Sequence, residues 1–379
     1  MTTSGPQSPQ QPQTKFQKHF SQLEDPRRIS KGNLIYPLEE IIFLSISASI
    51  SGANAWTSIE SFGNSKINWL RKFFPFEHGI PSHDTIGDFF GALDPLKFGE
   101  CFSAWTQEVV GDLGGQVVCI DGKTIRGAAS SGSRKYPVHI VTAFAAANRI
   151  SLGQVATEEK SNEITAIPKL LEMIALKGCI VTIDAIGCQQ EIVKSIIKAE
   201  AEYILMVKDN QKELREQVEK VIKMNASCDR DETLDAGHGR IETRVCQATS
   251  NLTFLDGKED WKNIKSVVKI TSERTIKATG QTSFETKFYI TSLEPDAKSL
   301  NKHIRSHWAI ENNLHWMLDV VFSEDGQLKR NGNSAANCNI LSKITLGMIE
   351  KDVSKKTSKK GKRFCAALDD DFREKLIFG

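Results

Sequence analysis

The stretch VVCIDGKTIRG (117–127) drives a run of strand-forming residues into a carboxylate, Asp121. Further on, CIVTIDAIG (179–187) repeats the pattern with Asp184. An ionised aspartate ending a buried strand is costly unless something compensates it. In open α/β sheets, sites form beyond strand ends. If the two strands lie side by side, the carboxylates converge and repel, and a divalent cation relieves the repulsion. Oxygen donors with no cysteine partner suit Mg2+ or Mn2+. A lone aspartate can also do no more than cap the turn that follows. Two identical Ile-Asp strand ends in one sheet favour a site.

The surrounding segments predict that sheet. After the strand at Val117–Ile120, YPVHIVTAFAAANRISLGQVATE reads as a hairpin turning near Asn148–Arg149. TAIPKLLEMIAL is an amphipathic helix with Pro168 in its first turn. CIVTID, then YILMVK (203–208), are buried strands, each followed by a helix, CQQEIVKSIIKAEA and NQKELREQVEKVIKM. The order is that of a mixed sheet with helices on its faces. Residues 230–300 alternate like half-exposed antiparallel strands (RIETRVCQAT, IKSVVKITSERTI, TSFETKFYITSL) and read as a β-rich insertion.

Before GDLGG (111–115) the pattern is helical. In SHDTIGDFFGALDP, Ser82 caps a helix, Ile86, Phe89, Phe90 and Leu93 form its apolar stripe, and Pro95 marks its end. A packed scaffold is expected there, with a DNA-reading helix-turn-helix as the alternative. Helical spacing returns in LNKHIRSHWAIENNLHWMLDVVF and SAANCNILSKITLGMIE, and the tail KDVSKKTSKKGKRF is a basic run.

With 379 residues, 40% hydrophobic and 25% charged, the chain reads as an ordinary soluble protein of two or three domains. Its formal charge of +2 leaves any nucleic-acid role to local basic patches. IIFLSISASI (41–50) is too short to span a bilayer. The lead MTTSGPQSPQQPQTK is expected to be disordered and is no signal peptide. The eight cysteines include no CxxC pair, so a reducing cytoplasm is expected and a zinc or disulfide framework is not.

A third carboxylate is sought on a rigid element. In SHWAIENNLHW, Glu311 sits on a predicted helix packed through Ile304, Trp308, Leu314 and Leu318, on one face with His307 and His315. A solvated helix face is the plainer alternative. A zinc hydrolase using His303, His307, Glu311 and His315 is a rival, but four-residue steps drift by roughly 40° each in an α-helix, so all four do not face one ion.

Together CIDGKTIRGA, EKSNEITAIPKLL, TIDAIGCQ, YILMVKDNQ, GHGRIETR and RSHWAIENNLHWMLDVVFSED resemble the H-repeat-associated group of insertion-sequence transposases, which are DDE enzymes. The resemblance implies a ribonuclease-H-like mixed-sheet catalytic core with an antiparallel β-insertion, preceded by a small helical domain. It divides the chain into a disordered lead (1–15), a helical domain (16–112), a catalytic domain (113–350, insertion about 228–298) and a basic tail (351–379). It implies the triad Asp121, Asp184 and Glu311 holding two Mg2+ or Mn2+ ions about 3.5–4 Å apart on the scissile phosphate. Strand cleavage at element ends and transfer into target DNA follow, on a homodimer bound to paired ends in the cytoplasm, at the nucleoid. A catalytically decayed DNA-binding relative and a non-transposing endonuclease are the alternatives. Expected DNA contacts are Lys123, Arg126, Lys208, His238, Arg240, Arg305 and His307, with the basic tail along the backbone. Where the wider superfamily has Tyr-x2-Arg-x3-Glu-x6-Lys, this chain has Ile304, His307, Glu311 and Leu318. Arg305 or Lys329 would stand in for the missing cations.

Overall fold

The structure, a computed structural model, describes residues 15–27, 34–128, 137–157, 163–225, 227–237 and 239–379, without the side chains of 15–17. The disordered lead and His238 therefore fall outside the described residues, the lead except for residue 15. Helices α1 (Lys15–Phe20), α2 (Leu38–Ile50), α3 (Trp56–Leu70), α4 (His83–Ala92) and α5 (Pro95–Val110) open the chain. Ser82 caps α4 by accepting from the Thr85 amide. Pro95 does not end that helix. It starts α5, where its missing N–H costs nothing, behind the cap Asp94.

Then come β1 (Val117–Ile125), β2 (Val138–Ala145), β3 (Ile150–Thr157), α6 (Glu163–Glu172), β4 (Ile180–Ile183), α7 (Gln190–Lys198), β5 (Glu202–Val207) and α8 (Lys212–Met224). Four strands follow: β6 (Asp229–Gly237), β7 (Arg240–Thr249), β8 (Ser266–Ile276) and β9 (Thr282–Thr291). The chain closes with α9 (Ala297–Ser306), a π turn (Glu311–His315), α10 (Trp316–Phe322), α11 (Ser334–Lys351), α12 (Lys359–Leu368) and α13 (Asp370–Phe378). Pro168 lies inside α6 rather than in its first turn.

The described strands form one sheet in the order β3-β2-β1-β4-β5-β9-β8-β7-β6. β2 runs antiparallel to β1, while β4 and β5 run parallel to it. This is the ribonuclease-H-like core that the resemblance implies. The insertion strands do not form a separate unit; β9 pairs with β5 and extends the same sheet. β6 escaped the sequence reading because it is an acidic edge strand, exposed on both faces along most of its length.

Strand alternation assigns the faces. Val118, Ile120, Val181, Ile183 and Leu205 pack under α6, α7 and α8. Val117, Cys119, Ile180 and Ile204 pack under α9, the π turn and α10. A third core joins α2–α5 to α11–α13. The basic run is thus no free arm. Arg363 donates to Ser49 O (2.7 Å), Asn54 Oδ1 (2.6 Å) and Val321 O (2.6 Å). Lys362 is held by Asp352, and Lys359 pairs with Glu350. Among the described residues, no helix is long and apolar enough to cross a membrane.

Candidate active site

Ile120 pairs with Ile183 in the last shared position of parallel β1 and β4. Asp121 and Asp184 come next, side by side, on the face covered by α9 and α10. The sequence places the end of β1 at Asp121, but β1 runs on to Ile125 because antiparallel β2 keeps pairing with it. Asp184 does cap the turn after β4, accepting from the Ile186 amide at 3.2 Å. Capping and a shared site are therefore compatible. The turn is pinned from the segment after β5: Asn210 donates to Ala185 O (2.7 Å) and Gln211 to Cys188 O (3.0 Å).

Burial pushes the Asp121 carboxyl up to about 7; the Asp184 charge adds to this, the Gly122 amide opposes it, and Glu311 and Glu163 add further repulsion. Like charges around one buried carboxyl are the condition that a divalent cation relieves. Behind the strand, His139 and Glu163 form a buried pair, Nε2 to Oε1 2.5 Å. A Cβ on residue 122 would lie 2.4 Å from His139 Nε2 and 2.5 Å from Glu163 Oε1, so the Asp-Gly step is sterically required.

Glu311 opens the π turn and is exposed, while Ile310, Leu314 and Leu318 hold that segment in the core. The expected straight α-helix is interrupted there by the π turn, while the Glu311 charge and the His315 ring both still act on Asp121. His307 is half-buried and bonds to Thr182 Oγ1 at 2.9 Å; desolvation of the ring pushes its pKa down to about 4 with help from the Lys287 charge. His315 turns to β1, with Nδ1 3.5 Å from Asp121 Oδ2. Burial and the Lys343 and Lys123 charges push its pKa down to about 3. The all-oxygen donor chemistry of Asp121, Asp184 and Glu311 fits a hard divalent cation. Among the described residues, however, no three His, Cys, Asp or Glu side chains stand close enough to hold one ion together.

Several expected DNA contacts are engaged within the protein instead. Lys123 is not on a surface turn. Its Nζ is held by Asp319 (2.5 Å) and Glu324 (2.8 Å), and Glu324 is also bound by Asn339. Arg305 pairs with Asp235 (3.1 Å) and Glu242 (3.2 Å). His307 is half-buried and bonded to Thr182. Their partners lie far away in sequence, so local spacing gave no warning. Arg126, Lys208 and Arg240 are exposed. Lys208 follows β5 on the edge that carries Asp184. β9 pairs Phe288 with Val207 and begins at Thr282, so the insertion projects past this edge by about 20 Å, with Arg240 near its tip.

The sequence reading missed Lys343. The only signal is a lone lysine in the apolar run ILSKITLG. Its buried Nζ donates to Thr142 Oγ1 (2.6 Å) and Gln154 Oε1 (2.7 Å), and Thr142 stands opposite Asp121 in register. Burial lowers its pKa to about 7.

Residues 112–346 match the family model "Transposase DDE domain" and residues 17–106 the model "DDE_Tnp_1-associated". The chain is 38% identical to "Putative transposase YncI" of Escherichia coli O157:H7, over 95% of this chain and 93% of that one. It is 35% identical to "H repeat-associated putative transposase YhhI" of Escherichia coli K12, over 96% and 98%. A solved piggyBac transposase synaptic complex with hairpin DNA aligns with a TM-score of 0.45 and 12% identity, covering 96% of this chain and 81% of that one. By the family model and by these relatives, the chain belongs to the transposase DDE domain family.

Proposed function

We propose that this protein cuts DNA at the ends of an insertion element and joins the freed strands to target DNA, with Asp121, Asp184 and Glu311 as the catalytic carboxylates. The observation that carries this reading is the register: Ile120 opposite Ile183 makes the two aspartates neighbours on the face that bears Glu311. The three carboxylates would hold Mg2+ or Mn2+. Bound there, divalent ions supply Lewis-acid stabilisation of the scissile phosphate and an activated water. A cation held there would relieve the repulsion that, with burial, raises the Asp121 carboxyl. Arg126, Lys208 and Arg240 take phosphates along the edge, and paired ends call for a homodimer. No covalent protein–DNA bond is needed, so no Ser, Tyr or Cys nucleophile is assigned.

The test is cleavage of supercoiled plasmid carrying element ends, with Mg2+ or Mn2+, by the native protein and by Asp184→Asn and Glu311→Gln. Both substitutions are expected to abolish cutting. Cutting that survives Glu311→Gln removes Glu311 from the triad. Glu324 is then a poor substitute, because Lys123 and Asn339 already hold it. A second reading, a DNA-binding protein that no longer cuts, is favoured by the exposure of Glu311 and the absence of a closed three-ligand group among the described residues. DNA binding without metal-dependent cutting by the native protein would establish it.

A further inference from the structure

The π turn Glu311–His315 closes with one residue more than an α-turn, a feature common at functional sites. Ile310, Leu314 and Leu318 stay in the core across it. The His315 ring is largely buried and directs Nδ1 at Asp121 Oδ2, 3.5 Å away. The turn is also tied to β1 by Lys123, whose Nζ lies 3.5 Å from His315 O.

The other ring nitrogen settles the tautomer. His315 Nε2 is buried and has no hydrogen-bond partner. A neutral imidazole has one N–H donor and one acceptor nitrogen. A proton on Nε2 would be a buried, unpaired donor, whereas a proton on Nδ1 faces a carboxylate. We infer that His315 is a positioning residue for the proposed reaction: its Nδ1–H holds the Asp121 carboxylate in place beside Asp184. The 3.5 Å separation is long for a hydrogen bond, as such contacts often are before the site is loaded. Loss of a group that orients a metal ligand commonly lowers metal affinity or activity by about 10–100-fold. The inference rests on Asp121 as a catalytic carboxylate.

The experiment uses the full chain and Mn2+ as the probe, read by electron paramagnetic resonance alongside plasmid cleavage, binding to end DNA and thermal melting. His315→Asn puts an amide where Nδ1 was; His315→Gln reaches instead toward Nε2; His315→Leu removes both. Leu and Gln are expected to weaken Mn2+ binding and cleavage by about 10-fold or more, with DNA binding unchanged, and Asn to stay within about 3-fold of native. If Leu does not fold, the Asn–Gln contrast decides alone. Native-like Mn2+ binding by the Leu or Gln variant overturns the inference. So does an Asn variant as impaired as Gln. If Asp121→Asn removes Mn2+ binding while the His315 variants do not, only this inference falls. If Mn2+ binding is indifferent to Asp121→Asn, the catalytic reading of Asp121 falls with it.

Discussion

Gly122→Ala adds one methyl group directly behind the proposed catalytic aspartate. The backbone there is not in the left-handed region, so the cost is steric. The new Cβ would lie 2.4 Å from His139 Nε2 and 2.5 Å from Glu163 Oε1, whereas real Cβ atoms essentially never come within 3.0 Å. Both side chains are buried and bonded to each other, so neither can swing into solvent. Overpacking of this kind costs about 1–3 kcal/mol. Loosening the His139–Glu163 bond adds about 1 kcal/mol. A total of about 3 kcal/mol is expected. Taking an unfolding entropy of ~2.1 cal/mol/K per residue over the 379 residues, that lowers Tm by about 4 °C if the chain melts as one unit. Calorimetry of the native protein and the variant measures it. In a His139→Ala/Glu163→Ala background the same methyl group should cost less than about 0.5 kcal/mol, since its obstacle is gone. An equal loss in both backgrounds refutes the steric argument, as does a Gly122→Ala protein that melts and cuts like the native one.

Two further outcomes are expected. The Asp121 carboxyl is raised from its ordinary value to about 7, so with no cation bound the folded protein holds more protons than the unfolded chain between about pH 4 and 7. Stability from this group is therefore lost as pH rises through that window, by up to about 4 kcal/mol at 1.36 kcal/mol per unit. Asp121→Asn should raise Tm at pH 8 in chelator and not at pH 4; the same difference at both pH values would contradict this. The cations should also separate. Lys123→Met leaves the buried Glu324 carboxylate without its ion pair and should destabilise by about 3–5 kcal/mol in denaturant melts. Lys208→Ala should leave stability within about 0.5 kcal/mol of native but weaken DNA binding and reduce its salt slope by about 1. Interchanged effects would reverse the assignment.

Much of this protein was legible in its sequence, because burial writes itself as periodicity. Apolar alternation in VVCID and CIVTID marked adjacent strands, and the same alternation puts Asp121 and Asp184 on one face. The Ser82 cap, the hairpin at Asn148–Arg149 and the helices after β4 and β5 are local features that a local reading finds. Tertiary structure alone decided the rest. β1 outruns its apolar segment because β2 pairs with it through Gly122 and Lys123, and acidic β6 is a strand only because β7 offers an edge. The π turn leaves the apolar spacing of Ile310, Leu314 and Leu318 intact, so nothing in the pattern announces it. The charges were least legible. Lys123, Arg305, His307 and Arg363 resemble DNA contacts in sequence, yet each is engaged by partners brought in from distant segments. A charge is defined by its neighbours in space, and sequence spacing specifies only the neighbours one turn or one strand step away.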